Sequence, residues 1–407
     1  MTRLSQLLTE KQIAKVRAPL EESHWLPNIA YTSEAFFRLE AEHLFSKTWM
    51  SIGFASEAEY PGDAHPVTVL GNLPLVMVRD EAGELRVFHN VCPHDCSQAV
   101  FGDAKGLSRI VGQYHGWVWN LDGTLRDATL FDGTKGPHTL PDRDANLKQV
   151  RSRVWRNTVF VNLSGDACPF DDYIAPVEEL YRDMDLSDME PGLTKEGDRV
   201  FVERAVIESN WKSVYENFAI NVYHEGFVHR GYKAAPNVPR VTDEGQRTYE
   251  EIDDRGYQGL RFTSTEADLA YGLPRSPTIP MKDGSVPDKH TIMSLYPNTN
   301  ISVAPNTLLI TVLTPQAPDR TAYDSMMLLP SYVSHQSKYA KQREHLLTVD
   351  WAIARDEDGA VLKSVQAGRH SPAFDQHFIV PFWGAMCRSF CNRVLDDLER
   401  SERRSEP

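Results

Sequence analysis

The chain has 407 residues, which is enough for two or three domains that each bury a hydrophobic core. Its net charge of -14 at pH 7 and its pI near 5.5 argue against a nucleic-acid partner and against a surface for anionic lipid, because both require clustered Lys and Arg. The charged N-terminal segment and the lack of an apolar run of about 20 residues in the sequence favour a cytoplasmic protein with no membrane partner.

The predicted elements begin with helices. Apolar residues at near-helical spacing predict an amphipathic helix within the first twenty residues and a second helix over residues 33–48. From about residue 51 to 163, short runs rich in Val, Leu and aromatic residues alternate with Gly, Asp and Asn turns, which is typical of an antiparallel β domain. We therefore assign residues 1–48 to a helical lead-in and residues 49–165 to a β domain.

The remainder of the chain, residues 166–407, mixes strands with helices. A linker and a helix are predicted over residues 168–188, and several strand-like runs follow. Two further helices are predicted, over roughly residues 337–350 and 382–399. This pattern predicts an α+β domain.

Two short motifs in the β domain indicate an iron–sulfur site. Cys92 and His94 form a Cys-x-His pair, and His115 follows after a further strand. A Rieske-type [2Fe–2S] centre takes one Cys and one His from each of two loops. The spacing fits such a centre, but Gly112 stands where the second Cys is expected. Cys96 is the nearby thiol that could replace it, although it lies on the first loop.

A second constellation indicates a mononuclear iron. Non-haem Fe(II) enzymes that activate O₂ hold iron by two His and one carboxylate. His224 and His229 stand five residues apart, an offset of about 140° on a regular helix, so they converge only if the helix bends or ends, and Gly226 could permit this. The third ligand must come from elsewhere, and an acidic stretch offers Asp356, Glu357 and Asp358. We choose Asp358, with Asp356 as the alternative.

The sequence closely resembles the catalytic alpha subunits of the Rieske non-haem iron oxygenases, including the choline-monooxygenase-like members. The segments that carry the resemblance are YTSEAFFRLEAEHLFSKTWMSIGFASE, VRDEAGELRVFHNVCPH, QYHGWVWNLDGTL, NWKSVYENF, YHEGFVH and VQAGRHSPAF. The resemblance implies an N-terminal antiparallel β Rieske-type domain followed by a helix-grip catalytic domain. It also implies a [2Fe–2S] cluster, a mononuclear Fe(II), O₂ as co-substrate, a trimer, and electrons from a flavin reductase or a ferredoxin.

The resemblance also assigns residues. It implies cluster ligands at Cys92, His94 and His115, and iron ligands at His224, His229 and Asp358. Two positions depart from the family pattern: Gly112 replaces a cluster cysteine, and Asn221 replaces the acidic residue that links the cluster of one subunit to the iron of its neighbour. Asp95 and Cys96 replace the usual Arg-Gly pair. Since Asn221 is neutral and has one acceptor oxygen, it cannot bridge two imidazoles as a carboxylate does.

Three functions remain open from the sequence. The first is an oxygenase that hydroxylates or demethylates a small organic substrate. The second is a non-catalytic or regulatory subunit that assembles with an active homologue whose cluster is intact, in place of a homotrimer. The third is a ligand-binding module that uses only the helix-grip cavity.

Overall fold

The computed structural model describes residues 3–194, 196–197, 200–229, 240–254, 256–263, 277–346 and 351–404. The chain divides into two units, one of residues 47–167 and one that joins residues 1–46 to residues 168–407. The lead-in therefore packs with the C-terminal unit. The boundaries at residues 48 and 165 stay a prediction.

The described part of the lead-in contains four α-helices. They are α1 (Leu4–Leu7), α2 (Glu10–Arg17), α3 (Ile29–Thr32) and α4 (Glu34–His43). The predicted first helix is thus two helices, because the Thr9 side chain accepts a hydrogen bond from the Gln12 N–H and caps a new start. The helices attach to the C-terminal unit through ion pairs, such as Arg17 with Asp396 at 2.8 Å.

The unit of residues 47–167 is built from antiparallel strands, as predicted. The strands are β1 (Met50–Phe54), β2 (Ala64–Val69), β3 (Leu73–Arg79), β4 (Leu85–His89), β5 (Ile110–Val111), β6 (Val118–Trp119), β7 (Leu125–Asp127), β8 (Gln149–Trp155) and β9 (Thr158–Asn162). One sheet has the order β1-β9-β8-β4-β3-β2, and a smaller sheet has the order β5-β6-β7. The loop after β4 and the turn between β5 and β6 carry the two predicted cluster motifs.

The C-terminal unit is organised around a larger antiparallel sheet. Its strands are β10 (Met189–Pro191), β11 (Glu203–Ile207), β12 (Glu250–Asp254), β13 (Tyr257–Thr263), β14 (Lys289–Leu295), β15 (Thr299–Ala304), β16 (Thr307–Ala317) and β17 (Arg320–Pro330). Their order is β10-β17-β16-β15-β14-β13-β12, and β11 also pairs with β17. The alternation of strands and helices confirms the predicted α+β class.

Helices cover this sheet. They are α5 (Phe170–Leu180), α6 (Trp211–Tyr215), α7 (Glu225–Val228), α8 (Ser331–His335), α9 (Ala340–His345), α10 (Trp351–Gly368) and α11 (Ala385–Arg404). Phe390 of α11 stacks on Tyr215 with ring centroids 4.5 Å apart, so α11 packs on the segment that carries the predicted iron ligands. No helix within the described ranges has both the length and the apolar character to cross a bilayer.

Candidate metal centres

The segment that carries both predicted iron histidines is an irregular helix. After α6 it widens to a π-helical turn over Glu216–Ile220, a form that recurs at functional sites. Asn221 leaves helical geometry, with φ -101° and ψ 68°, before a 3₁₀ turn over Val222–His224 and then α7. His229 follows α7 in an extended conformation. The end of α7, where His229 is extended, therefore supplies the break that the 140° offset requires between the two histidines, whereas Gly226 lies inside α7.

The two histidines meet Asp358 of α10. One ligand atom from each of His224, His229 and Asp358 lies within 4.8 Å of the others. Asp358 Oδ1 is 3.4 Å from His224 Nε2 and 3.6 Å from His229 Nε2. Both Nε2 atoms therefore face one carboxylate oxygen, which is the arrangement of a 2-His-1-carboxylate iron site.

Hydrogen bonds at the opposite ring nitrogens fix the orientation of both imidazoles. The Asn221 carbonyl lies 2.5 Å from His224 Nδ1 and accepts its proton. Glu357 Oε2 lies 3.3 Å from His229 Nδ1. Such partners select the tautomer in which the Nε2 lone pair can bind a metal. Burial lowers the pKa of His224, but the Asp358 carboxylate outweighs burial and raises that pKa above its ordinary value.

The structure separates the two carboxylates between which the sequence left a choice. Asp358 belongs to the group with both histidines. Asp356 instead pairs with Arg355, at 2.7 Å, and its side chain is 71% exposed. This geometry favours Asp358 as the third ligand. Glu357, the acidic neighbour that we did not choose, has a supporting position beside His229.

A pocket opens beside the three ligands, and it combines aromatic with cationic side chains. Its aromatic members are Phe218, Phe262 and Tyr323, and its cationic members are Arg240 and Arg355. Arg240 is 6% exposed and lies over the Phe262 ring at 3.5 Å from the centroid. Its Nε is 2.6 Å from Glu225 Oε2. The pocket therefore has polar and charged groups near the metal ligands.

The predicted cluster loops have matching backbones. The N–H of Cys96 donates to the Cys92 carbonyl at 3.0 Å, and the N–H of Gly116 donates to the Gly112 carbonyl at 3.0 Å. Cys96 and Gly116 have φ values of 60° and 72°. Gly112 thus takes the place that Cys92 has in the first loop. Cys96 takes the place of a loop-closing glycine, and its exposed side chain lies outside the metal-binding group that the described residues form around Cys92.

Asp95 is the residue that approaches the remaining ligands. One ligand atom from each of Cys92, His94 and Asp95 lies within 4.8 Å of the others. Asp95 Oδ2 is 2.8 Å from His115 Nδ1 and 3.8 Å from His94 Nδ1. The carboxylate is 6% exposed, and hydrogen bonds led by those from Ser97 outweigh its burial and hold its pKa well below the usual range. An acidic side chain therefore lies among the three predicted cluster ligands.

Comparison with known proteins decides the family. Residues 181–400 match the model of the ring hydroxylating alpha subunit catalytic domain, and residues 48–136 match that of the Rieske [2Fe-2S] domain. The chain belongs to the Rieske oxygenase alpha subunits. These enzymes are non-haem iron oxidoreductases that use O₂, and they combine a Rieske [2Fe–2S] cluster with a mononuclear iron. The predicted family, fold class and oxygenase function are confirmed.

Several relatives of this oxygenase alpha subunit are named for quaternary ammonium substrates. The carnitine monooxygenase oxygenase subunit of Acinetobacter pittii is 25% identical over 355 residues, 86% of each chain. The chloroplastic choline monooxygenase of Spinacia oleracea is 30% identical over 227 residues, 54% of this chain and 48% of the relative. A structure of the quaternary ammonium Rieske monooxygenase CntA with L-carnitine has a TM-score of 0.70 at 20% identity, and covers 97% of this chain and 99% of that chain.

The residues present fit the mononuclear iron better than they fit the cluster. Two imidazoles and a carboxylate converge, as this iron requires. The cluster requires two thiolates on one of its irons, and Gly112 leaves only Cys92 at the family's cysteine positions. A Cβ added at Gly112 would lie 3.3 Å from Trp119 Cζ3, so there is nearly room for a cysteine. The family's cluster therefore lacks one ligand in this chain.

The sequence does not indicate the positions of three side chains near the two sites. In the sequence Asp95 is only a departure from the family pair, although it approaches both loop histidines. Glu357 is only one member of an acidic stretch. Arg240 follows a segment without a recognisable motif, and nothing in the sequence indicates that it reaches the iron pocket.

Proposed function

We propose that this alpha subunit hydroxylates or demethylates a small organic substrate at an iron held by His224, His229 and Asp358. The observation that supports the proposal is the approach of both Nε2 atoms to Asp358 Oδ1, at 3.4 and 3.6 Å, beside an aromatic and cationic pocket. The bound iron supplies the activation of O₂. The chain's own residues hold the imidazole tautomers, through the Asn221 carbonyl and Glu357, and bind the substrate next to the ligands.

The pocket favours a substrate that carries a carboxylate. Arg240 is buried, and its Nη1 has no hydrogen-bond partner in the part of the chain that the structure describes. A buried donor without an acceptor costs about 1–3 kcal/mol. A substrate oxygen that accepts a hydrogen bond from this N–H removes that cost, and the binding free energy becomes more favourable by the same amount. The guanidinium also covers one face of Phe262, which removes that face as a site for a quaternary ammonium group. Of the relatives' substrates, carnitine and glycine betaine carry a carboxylate and choline does not.

Binding measurements test this proposal without any electron supply. Glycine betaine and choline share a trimethylammonium group and differ in carboxylate against alcohol. Calorimetric titration of the Fe(II) protein should give tighter binding of glycine betaine, and Arg240→Gln should remove the difference. Arg247→Gln, at an arginine that pairs with Glu251 at 3.0 Å and does not line the pocket, is the matched control. Tighter binding of choline to the unmodified protein would contradict the carboxylate preference.

The electron donor and the assembly follow from the family. Rieske oxygenases receive electrons from a reductase or a ferredoxin, and one solved CntA structure is described as revealing inter-subunit electron transfer. For this chain we propose a trimer, with either a flavin reductase or a ferredoxin as donor. Gly112 and Asn221 both lie on the family's electron path from the cluster of one subunit to the iron of its neighbour. We therefore favour assembly with a homologue that has an intact cluster over a homotrimer.

The same two positions favour a second candidate function. A chain without its own complete cluster and without the bridging acid could serve as a non-catalytic or regulatory subunit of a mixed oligomer. Iron content and reductase-supported product formation separate the two functions. Stoichiometric iron with substrate oxidation in the presence of the homologue supports the oxygenase, whereas iron-free protein that changes only the partner's activity supports the regulatory subunit.

A further inference from the structure

The loops of the β unit contain four potential ligands in a compact arrangement. Cys92 is buried, with 2% exposure, and its sulfur lies within 4.8 Å of a carboxylate oxygen of Asp95. His94 and His115 have ring centroids 5.0 Å apart. Their Nδ1 atoms both face Asp95 Oδ2. Cys92, His94 and Asp95 therefore form a group of three ligand atoms, and His115 adjoins this group through its Nδ1, 2.8 Å from Asp95 Oδ2.

The spacing of these atoms suits one metal ion. A binuclear cluster places two irons and two sulfides between its cysteine pair and its histidine pair. Here Cys92, His94 and Asp95 contribute ligand atoms that all lie within 4.8 Å of one another. A tetrahedral zinc keeps its nitrogen and oxygen ligands roughly 3.4 Å apart, at bond lengths of about 2.1 Å. The distances from Asp95 Oδ2 to the two Nδ1 atoms, 2.8 and 3.8 Å, lie on either side of that value.

The position of Asp95 is fixed by its other oxygen. Asp95 Oδ1 accepts hydrogen bonds from the Ser97 N–H at 2.9 Å and the Ser97 hydroxyl at 2.7 Å. Oδ2 is left to face the imidazoles. His94 is in turn stacked on Trp117, with ring centroids 4.9 Å apart. The turn and the indole therefore hold two of the four donors in place before any ion binds.

The structure assigns these loops a mononuclear zinc(II) site, in which Cys92, His94, His115 and Asp95 are the ligands and Asp95 replaces the lost thiolate. On binding, the Cys92 thiol releases its proton to solvent, and its sulfur forms a bond to the metal. The thiolate and the carboxylate together balance the charge of the ion. Zinc has no redox chemistry, so this unit does not pass electrons.

The functional consequence is a change of role for the β unit. Its loops stabilise the fold and do not transfer electrons, because a closed four-ligand zinc site contributes folding energy. The neutral Asn221 then has no cluster to connect. The site is independent of the reaction at the iron, so failure of the proposed oxidation leaves this inference intact.

The test uses the full chain in a His224→Ala background, where the iron site is disrupted and the remaining metal reports on the loops. We expect one zinc per chain, no acid-labile sulfide and no Rieske EPR signal. Replacement by cobalt(II) should give a tetrahedral visible spectrum with a thiolate-to-cobalt band. Asp95→Asn should lower the zinc affinity by at least about tenfold, because it keeps the turn and neutralises the ligand oxygen.

Two variants serve as controls. Asp122→Ala removes the same kind of turn, in which Thr124 donates to Asp122 Oδ1 at 2.9 and 2.6 Å, and should retain the zinc. Cys96→Ser should also retain it. Two irons and two sulfides per chain, full zinc binding by Asp95→Asn, or no binding when zinc(II) is added to the metal-free protein would each overturn the proposal.

Discussion

The two metal-binding regions of this chain use similar residues in different ways. Each brings two histidines and an aspartate into contact. In the catalytic unit Asp358 comes from α10, more than a hundred residues beyond the histidines, and it faces the Nε2 atoms. In the β unit Asp95 directly follows His94 and faces the Nδ1 atoms. The first arrangement keeps the family's iron ligands, whereas the second brings a new ligand into the place of an old one.

The difference shows how a site can lose one cofactor without losing the capacity to bind metal. The loop backbone is preserved around Gly112, as the paired turns show. The ligand that is lost is one thiolate, and the carboxylate of Asp95, one residue past His94, approaches the remaining ligands. Loss of a cluster ligand therefore need not imply an empty domain.

The largest expected effect is the loss of mononuclear iron. Substituting His229→Ala or Asp358→Ala removes one of three protein ligands, and we expect iron below about a tenth of one equivalent after dialysis, since even an outer partner of a metal ligand contributes 10–100-fold in affinity. Iron analysis of the purified variants measures it.

Asp356→Asn is the matched control for this change, because the Asp356 side chain is 71% exposed and lies outside the ligand group of the two histidines and Asp358. It should keep its iron. Glu357→Gln should keep iron with an affinity reduced by about 10–100-fold, because it weakens the partner of His229. Full iron retention by Asp358→Ala together with loss in Asp356→Asn would reverse the assignment.

The second effect concerns the stability of the iron segment, the stretch from α6 to His229 that carries both iron histidines. Lys212 of α6 and Glu40 of α4 are both fully buried and pair at 2.6 Å. Burial lowers the pKa of Lys212 and raises the pKa of Glu40, so each depends on the other to stay charged. Lys212→Met should destabilise the C-terminal unit by about 3–5 kcal/mol, measured by denaturant unfolding.

Two variants complete that experiment. Adding Glu40→Gln to Lys212→Met should recover much of the loss, because the stranded buried charge is removed. The exposed pair of Lys148 and Asp144 in the β unit is the surface reference, and Lys148→Met should change stability by less than about 1 kcal/mol. Equal effects of the two lysine substitutions would show that the iron segment is not anchored at Glu40.

Sequence reasoning went furthest where a pattern repeats or a motif is local. Alternating apolar runs located β3, β4 and β9, and the motif spacing located both loops. The five-residue offset of His224 and His229 correctly implied a distorted helix. It could not show that the break lies at the end of α7, because Gly226 is the position at which the sequence indicates flexibility. The choice of Asp358 over Asp356 was made within the acidic stretch, and the resemblance implies the same residue. The contacts of α10 were needed to support it.

In the β unit, the position of the Asp95 side chain could not be predicted from the sequence. Whether Asp95 points into the loops depends on its bond to Ser97 and on His115, twenty residues away. The Asp-x-Ser spacing is a weak signal for such a turn, and the distant partner has no local signal. The sequence therefore revealed the missing thiolate but not the carboxylate beside it.

The stability of the catalytic unit should depend on pH through one buried carboxyl group, that of Glu216. Burial raises the pKa of Glu216 to about 7, and the Tyr31 hydroxyl donates to it at 2.7 Å. The unfolded carboxyl titrates near its ordinary pKa of 4.5, so the folded state prefers the protonated form. Stability from this group is complete below pH 4.5 and is lost as pH rises to about 7, a change of about 3 kcal/mol. Glu216→Gln should flatten the plot of Tm against pH between pH 4.5 and 7. An unchanged slope would show that Glu216 does not cause this pH dependence.

The smallest expected effect is a coupling between the two regions. Gly112→Cys, with Asp95→Arg and Cys96→Gly to restore the family's loop, should rebuild a [2Fe–2S] centre after iron and sulfide reconstitution. Asn221→Asp alone should do little. Together they should raise reductase-supported product formation at least about tenfold beyond the separate changes, a coupling of about 1.4 kcal/mol. Full activity from the loop changes alone would show that Asn221 is no obstacle.

Anomalous diffraction at the iron and zinc edges tests the central claim most directly, because it identifies each metal where it is bound. Crystals of the unmodified protein should show a single iron peak between His224, His229 and Asp358. A single zinc peak should lie between Cys92, His94, His115 and Asp95. A pair of iron peaks in these loops would contradict the account. The absence of a zinc peak next to His94 and His115 would contradict it as well.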